Sequence, residues 1–139
     1  RLRYLRDTTA ASQMGRSRAP ERVTRWLSSV HDDDLAMSVL SVGEIRRGIE
    51  LIRARDALAA RALDARLAEL VRRLGPRLIG VDNAIAERWG RISAGPEPVP
   101  AIDGLIAATA IEHGLAVVTR NERDFARLGV PVVNPWSGS

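Results

Sequence analysis

Residues 100–124 read PAIDGLIAATAIEHGLAVVTRNERD, and this stretch decides the fold. Ile102, Leu105, Ile106 and Thr109 recur at helical spacing, while Gly104, Ala107, Ala108 and Ala110 are small enough to let that helix lie close on a sheet. Gly114 stops the helix. Leu115, Ala116, Val117 and Val118 then form the short apolar run of a strand buried on both faces. Asp103 opens the helix, and Asn121 and Asp124 follow the strand, in the region where open parallel sheets place their ligands.

The same alternation continues in both directions from this stretch. Upstream, Asp82 caps a helix carrying Ala86, Trp89 and Ile92, and Gly95–Pro100 (GPEPVP) is a loop. Residues 78–81 read as a strand. Residues 56–74 form an amphipathic helix ended by Gly75-Pro76, and residues 35–40 read as a strand that Ser41-Val-Gly-Glu44 turns into another helix. Residues 20–30 fit a helix with Val23, Trp26, Leu27 and Val30 on one face, and residues 2–6 a first strand meeting a loop at Asp7-Thr8-Thr9. Downstream, Phe125 and Leu128 support a short helical turn before a last strand at 130–133. Strands alternating with helices predict an α/β fold, a three-layer α/β/α sandwich with a central parallel sheet and right-handed crossovers, in a single domain spanning 1–139.

The chain contains no cysteine, which excludes disulfides, thiolate nucleophiles and zinc-thiolate sites. No apolar run approaches a membrane span and no secretory signal is legible, so the expected location is cytoplasmic. The net charge is +4, and all 21 basic residues are Arg. Arginine offers a planar fork to phosphate, but such usage also follows from codon bias, so charge alone is weak evidence for a nucleic-acid partner.

Acids at strand and helix ends carry the chemistry. Asp7 follows the first strand, Glu44 the second, and Asp124 the strand after the Asp103 helix, so a parallel sheet can bring them to one end. Hard divalent cations such as Mg2+ and Mn2+ take oxygen ligands of this kind. Each acid also has a structural explanation: Ser41 and Glu44 match the S-x-x-E capping box, Asp103 suits a helix start, Asp7 can open a turn, and Asp124 can cap the turn holding Phe125. Taken together, four acids so placed favour a site. Arg6 could pair with Asp7 or lie at a solvated strand end. His31, within His31-Asp-Asp-Asp34, and His113 have surface or capping roles, and three adjacent carboxylates diverge too much to make a metal site.

Asp7-Thr8-Thr9, VGEIRRGIE (42–50), IDGLIAATA (102–110), VTRNERDF (118–125) and Asn134-Pro-Trp136 occur together. In combination they strongly resemble the PIN-domain ribonucleases of the VapC toxin type, including the FitB-like subgroup. The resemblance covers nearly the whole chain. It implies a usually dimeric nuclease that cleaves RNA with Mg2+ or Mn2+ and is held inactive by a VapB-like antitoxin. Asp7, Glu44 and Asp103 match three family acids. The fourth ligand is either Asp124 or the neutral Asn121, which stands where some relatives carry an acid. Thr8 and Thr119 resemble hydroxyls that support these carboxylates. Arg46, Arg47 and Arg120 border the acids and could meet RNA or an antitoxin, or be solvated. The first motif departs from the family pattern: Arg6 stands where an apolar residue is usual and Thr9 where Asn is, which removes an orienting amide and lets Arg6 compete with a metal for Asp7.

The leading expectation is therefore a metal-dependent endoribonuclease acting as a type II toxin. Its alternative is a catalytically weak PIN module that binds RNA or a protein partner. A receiver-type phosphoryl-transfer protein would share the acidic strand ends but needs a lysine, and there is none. The apolar faces around Trp26 and Ile49–Ile52 fit core packing, a dimer contact or an antitoxin segment.

Overall fold

The computed structural model describes residues 2–13 and 19–137. Five strands, β1 (Tyr4–Arg6), β2 (Leu35–Ser38), β3 (Leu78–Ile79), β4 (Ala116–Val118) and β5 (Val132–Val133), form one sheet in the order β3-β2-β1-β4-β5, with every pairing parallel. Among the described residues seven α-helices connect them: α1 (Thr8–Gln13), α2 (Glu21–Ser29), α3 (Val39–Arg53), α4 (Ala57–Leu74), α5 (Asn83–Ile92), α6 (Ala101–His113) and α7 (Glu122–Ala126). The expected three-layer α/β fold with a parallel sheet is the one observed.

On one face, α6 lays Ile106, Ala107, Ala108 and Ala110 against Leu5, Ala36, Val117 and Ile79 of the sheet, with Ile85 of α5 and Phe125 of α7 completing the layer. The small residues of α6 permit that close seating. On the other face, Ala10 of α1 and Val23 of α2 meet Val118, with Tyr4, Trp26, Val133 and Trp136 around them. Trp26 stands edge-on to Tyr4 at 5.1 Å, so this ring packs within the chain. The α3–α4 hairpin has its own apolar seam of Ile49, Ala60 and Leu67. An ion-pair network of Arg46, Glu50, Arg53 and Asp64 braces its polar side.

Two helix starts differ from the sequence reading. The second strand ends at Ser38, whose side chain caps α3 by accepting from Leu40 N. Ser41 is consequently inside the helix and fully buried, so Ser41 and Glu44 form no capping box. A serine three residues earlier takes the cap because Val39 and Leu40 are already helical. The loop expected at Asp7-Thr8-Thr9 is in fact the start of α1.

Candidate active site

The order of strand addition reverses at β1, with β2 and β3 added on one side and β4 and β5 on the other. The crevice between β1 and β4, at their C-terminal ends, is the switch point at which such sheets bind ligands. Asp7 stands there, one residue beyond β1. It is 5% exposed. Its Oδ1 accepts from Ala10 N at 2.8 Å, which starts α1, and its Oδ2 accepts from the Thr119 hydroxyl at 2.5 Å, just beyond β4. Asp7 N donates to Val118 O at 3.0 Å, so backbone and side chain both tie the two strand ends together. Thr119 in turn accepts from Asn121 N at 2.9 Å, fixing the turn into α7.

From the opposite side of the sheet order, α3 brings Glu44 toward the same end. The Thr8 hydroxyl donates to Glu44 Oε1 and is hydrogen-bonded to Ser41 at 3.0 Å. Asp103 lies in the first turn of α6, half-buried, with the helix N-terminus favouring its charge. Its carboxyl is nonetheless raised above the usual aspartate range, first by burial and then by the charges of Asp7, Glu44 and Asp124. The Asp7 carboxyl is raised as well, chiefly by burial, with Glu44 adding and the Thr119 and Ala10 hydrogen bonds opposing. Acids from three other segments thus reach Asp103 electrostatically at this end of the sheet.

The placement of the remaining candidates varies. Asp124 is exposed on α7, and it shares a shallow groove with Asn121 and Arg120. Asn121 precedes α7, but its side chain makes no capping bond there. Arg46 is held by Asp64 and Glu50, Arg47 is exposed, and Arg120 lies over the Trp136 ring at 5.4 Å. Arg6 does neither of the things the sequence left open. It forms no ion pair with Asp7; strand alternation sends its side chain into a cleft bordered by α3 and α4, where burial and the neighbouring Arg77 lower its pKa. The Thr8–Glu44 link and the N-capping role of Asp7 were not legible as contacts, although Asp followed by Thr-Thr-Ala-Ala-Ser is a helix-start pattern.

All donors at the crevice are hard oxygens, which suits Mg2+ or Mn2+ rather than a softer metal. Among the described residues no three His, Cys, Asp or Glu side chains stand as a ready-made cage for an ion. That arrangement still fits Mg2+, which keeps several waters and is commonly held by one or two carboxylates. Mutual repulsion of the acids is the feature a cation would relieve.

The family model described as PIN domain matches residues 4–131. The chain is 34% identical to Toxin FitB of Neisseria gonorrhoeae, covering 95% of this chain and 97% of that protein. It is 27% identical to VapC ribonuclease Y4jK of Sinorhizobium fredii, over 94% of this chain and 95% of that one. Among solved structures, FitAcB from Neisseria gonorrhoeae superposes with a TM-score of 0.87 at 32% identity, covering 96% of this chain and 98% of that chain. DNA-bound VapBC from Salmonella typhimurium gives 0.71 at 26% identity, over 97% and 99%.

Proposed function

The chain belongs to the PIN domain family, and on that premise we propose that it is an RNA-cleaving toxin of the VapC and FitB kind, paired with a VapB-like antitoxin. One observation carries the reading to chemistry: the carboxyl of Asp103 is raised by burial and by the charges of Asp7, Glu44 and Asp124 together, at the switch point of the sheet. Acids from four segments crowded at such a crevice repel one another without a cation.

Asp7, Glu44 and Asp103, with Asp124 or Asn121, would hold Mg2+ or Mn2+. The ion would supply a lowered pKa to an attacking water and offset charge on the scissile phosphate. This chain's own residues do the positioning. Thr119 and Ala10 N each occupy one oxygen of Asp7, which fixes the carboxylate plane and leaves lone pairs directed into the crevice. Thr8 occupies Glu44 Oε1 and leaves Oε2 for a ligand. The first turn of α6 keeps Asp103 at the mouth. Neither His31 nor His113 is needed, and both are exposed.

A homodimer in the cytoplasm, assembled further with the antitoxin, is the expected working form; no helix among the described residues is long and apolar enough to cross a membrane. The altered first motif, with Arg6 and Thr9 where the family resemblance implies an apolar residue and Asn, favours a second reading, a PIN module that binds RNA or a protein but turns over weakly.

Cleavage of a structured RNA pool in Mg2+ or Mn2+, with EDTA and Asp103→Asn alongside, separates the two. The proposal expects cutting in the first tube only. Equal cutting in all three would dismiss the metal site, and retention of RNA with no cutting would leave the weak module.

A further inference from the structure

Arg6, which stands where the family resemblance implies an apolar residue, carries one of the two buried side-chain donors that lack a partner among the described residues, the other being Trp89 Nε1. Arg6 ends β1, one peptide from Asp7, and lines a cleft of about 830 Å3. Its Nε is buried and has no hydrogen-bond partner. Among the described residues no carboxylate lies within ion-pair distance of it. The acid that acts on it is Asp32, which is already paired with Arg73 at 2.9 Å. Arg77 donates to backbone carbonyls, those of Asp32, Leu35 and Arg73. Three guanidinium groups therefore converge where one side-chain carboxylate serves them. Of the other acids on the lining, Glu69 is bonded to Arg72 and Glu44 to Thr8. A desolvated cation with an orphan donor is costly to keep unless something anionic completes it.

The cleft is continuous with the acid crevice, because Thr8 and Glu44 line it too. We infer that Arg6, with Arg73 beside it, forms a phosphate-binding subsite for the nucleotide next to the scissile bond, entered from the acid crevice across Thr8 and Glu44. The inference rests on the RNA-cleaving reading above. The planar fork of arginine matches phosphate oxygens two at a time, which a buried lysine would not. Arg6 and Asp7 leave the strand end on opposite faces, so the link between them is the shared lining: a polynucleotide that runs from the acid crevice to Arg6 passes Thr8 and Glu44. The half-buried Ile45, Leu63 and Leu70 of the wall would carry the sugar edge and exclude water, strengthening the charge pairing. An acidic peptide seated on the same wall is the competing occupant.

Single neutral methylphosphonate linkages, walked along a short RNA, report which phosphate Arg6 holds. Affinity is read by fluorescence anisotropy on Asp103→Asn protein, so that nothing is cut, with and without Arg6→Met. One linkage should weaken binding about tenfold when Arg6 is present and have no effect in Arg6→Met. The slope of log affinity against log salt should fall by about 1 in Arg6→Met. Removing an unsatisfied buried donor should also raise the melting temperature, which distinguishes a binding role from a structural one. Should Arg6→Met fail to fold, Arg6→Lys keeps the charge without the fork and should retain the salt slope but lose the linkage-specific penalty.

RNA bound equally well with Arg6 intact and in the Arg6→Met variant would overturn the subsite and leave the nuclease reading intact. So would a poly-glutamate peptide that binds only with Arg6 present while RNA is indifferent to it. Arg6-dependent RNA binding by a chain that never cuts RNA in metal would sustain the subsite and remove the nuclease reading instead.

Discussion

Asp103 is held in a conflict that its neighbours create. Burial and three like charges raise its carboxyl, so the folded state binds its proton more tightly than the unfolded chain does. The sign follows: below the ordinary aspartate range both states are protonated and nothing is lost, whereas stability falls as pH rises through the raised value. At neutral pH without metal the full penalty is present. Asp103→Asn should therefore melt higher than the native chain in EDTA at pH 7, and that advantage should shrink as the pH is lowered toward ~4, the ordinary aspartate value. The same variant should lose at least about 100-fold in cleavage, since even residues behind a metal ligand cost about 10- to 100-fold. A variant less stable than the parent at pH 7 would mean that the carboxylate is held by bonds rather than strained by charge. Thr119 makes the opposite contribution: its hydroxyl bonds Asp7 and holds that carboxyl down against burial. Thr119→Val keeps the shape and leaves Asp7 Oδ2 and Asn121 N without their partner. The expected loss is about 1–3 kcal/mol in denaturant unfolding. Because Asp7 would then titrate higher still, the acid limb of the pH–rate profile should move to higher pH, and Thr119→Ser should restore it.

Between elements, the seat of α6 decides where Asp103 points. Gly104 faces α5, and a Cβ there would lie 2.9 Å from Trp89 Cδ1 and 3.0 Å from Val99 Cγ1. The indole is a rigid neighbour, so α6 rather than the ring must give way. Gly104→Ala should cost about 1–3 kcal/mol by overpacking and, by tilting the first turn, reduce cleavage beyond what the stability loss explains. Full activity in a destabilised Gly104→Ala chain would separate helix seating from the site. Small residues in 102–110 announced this close packing in the sequence, as did the apolar run that became β4 and the Gly114 stop, whose left-handed φ of 66° matches its role. The start of α3 was not legible to that precision. Ser38 and Ser41 are both acceptable cap residues, and only the sheet, by ending β2 at Ser38, chooses between them. The direction of Arg6 was equally hidden: alternation along β1 fixes its face, but which face carries a cleft depends on α3 and α4, far along the chain.

At the level of the molecule, strand order is what turns dispersed acids into a site. The alternating pattern predicted parallel strands but not that the chain passes from β3 over β2 and β1 to set β4 on the far side of β1, because the pattern is the same for every order. That crossing joins Asp7 to Thr119 across 112 positions of sequence, so the crevice exists only in the completed fold. A cation that binds there binds the native state alone and must stabilise it by RT ln(1 + [L]/Kd), about 2.7 kcal/mol at one hundred times Kd. The melting temperature of the native chain should thus climb with log Mg2+ concentration at neutral pH, whereas Asp103→Asn should climb much less. Since the Asp7 and Asp103 carboxyls are both raised, protons compete with the ion at a higher pH than they would for exposed ligands, and the Mg2+ response should fade correspondingly early on acidification. Nonspecific binding to surface acids would instead raise both proteins equally and persist until the ordinary carboxylate range. A parallel rise in the two chains would place the ion elsewhere on the molecule and dissolve the link between fold, charge and cleavage proposed for this crevice.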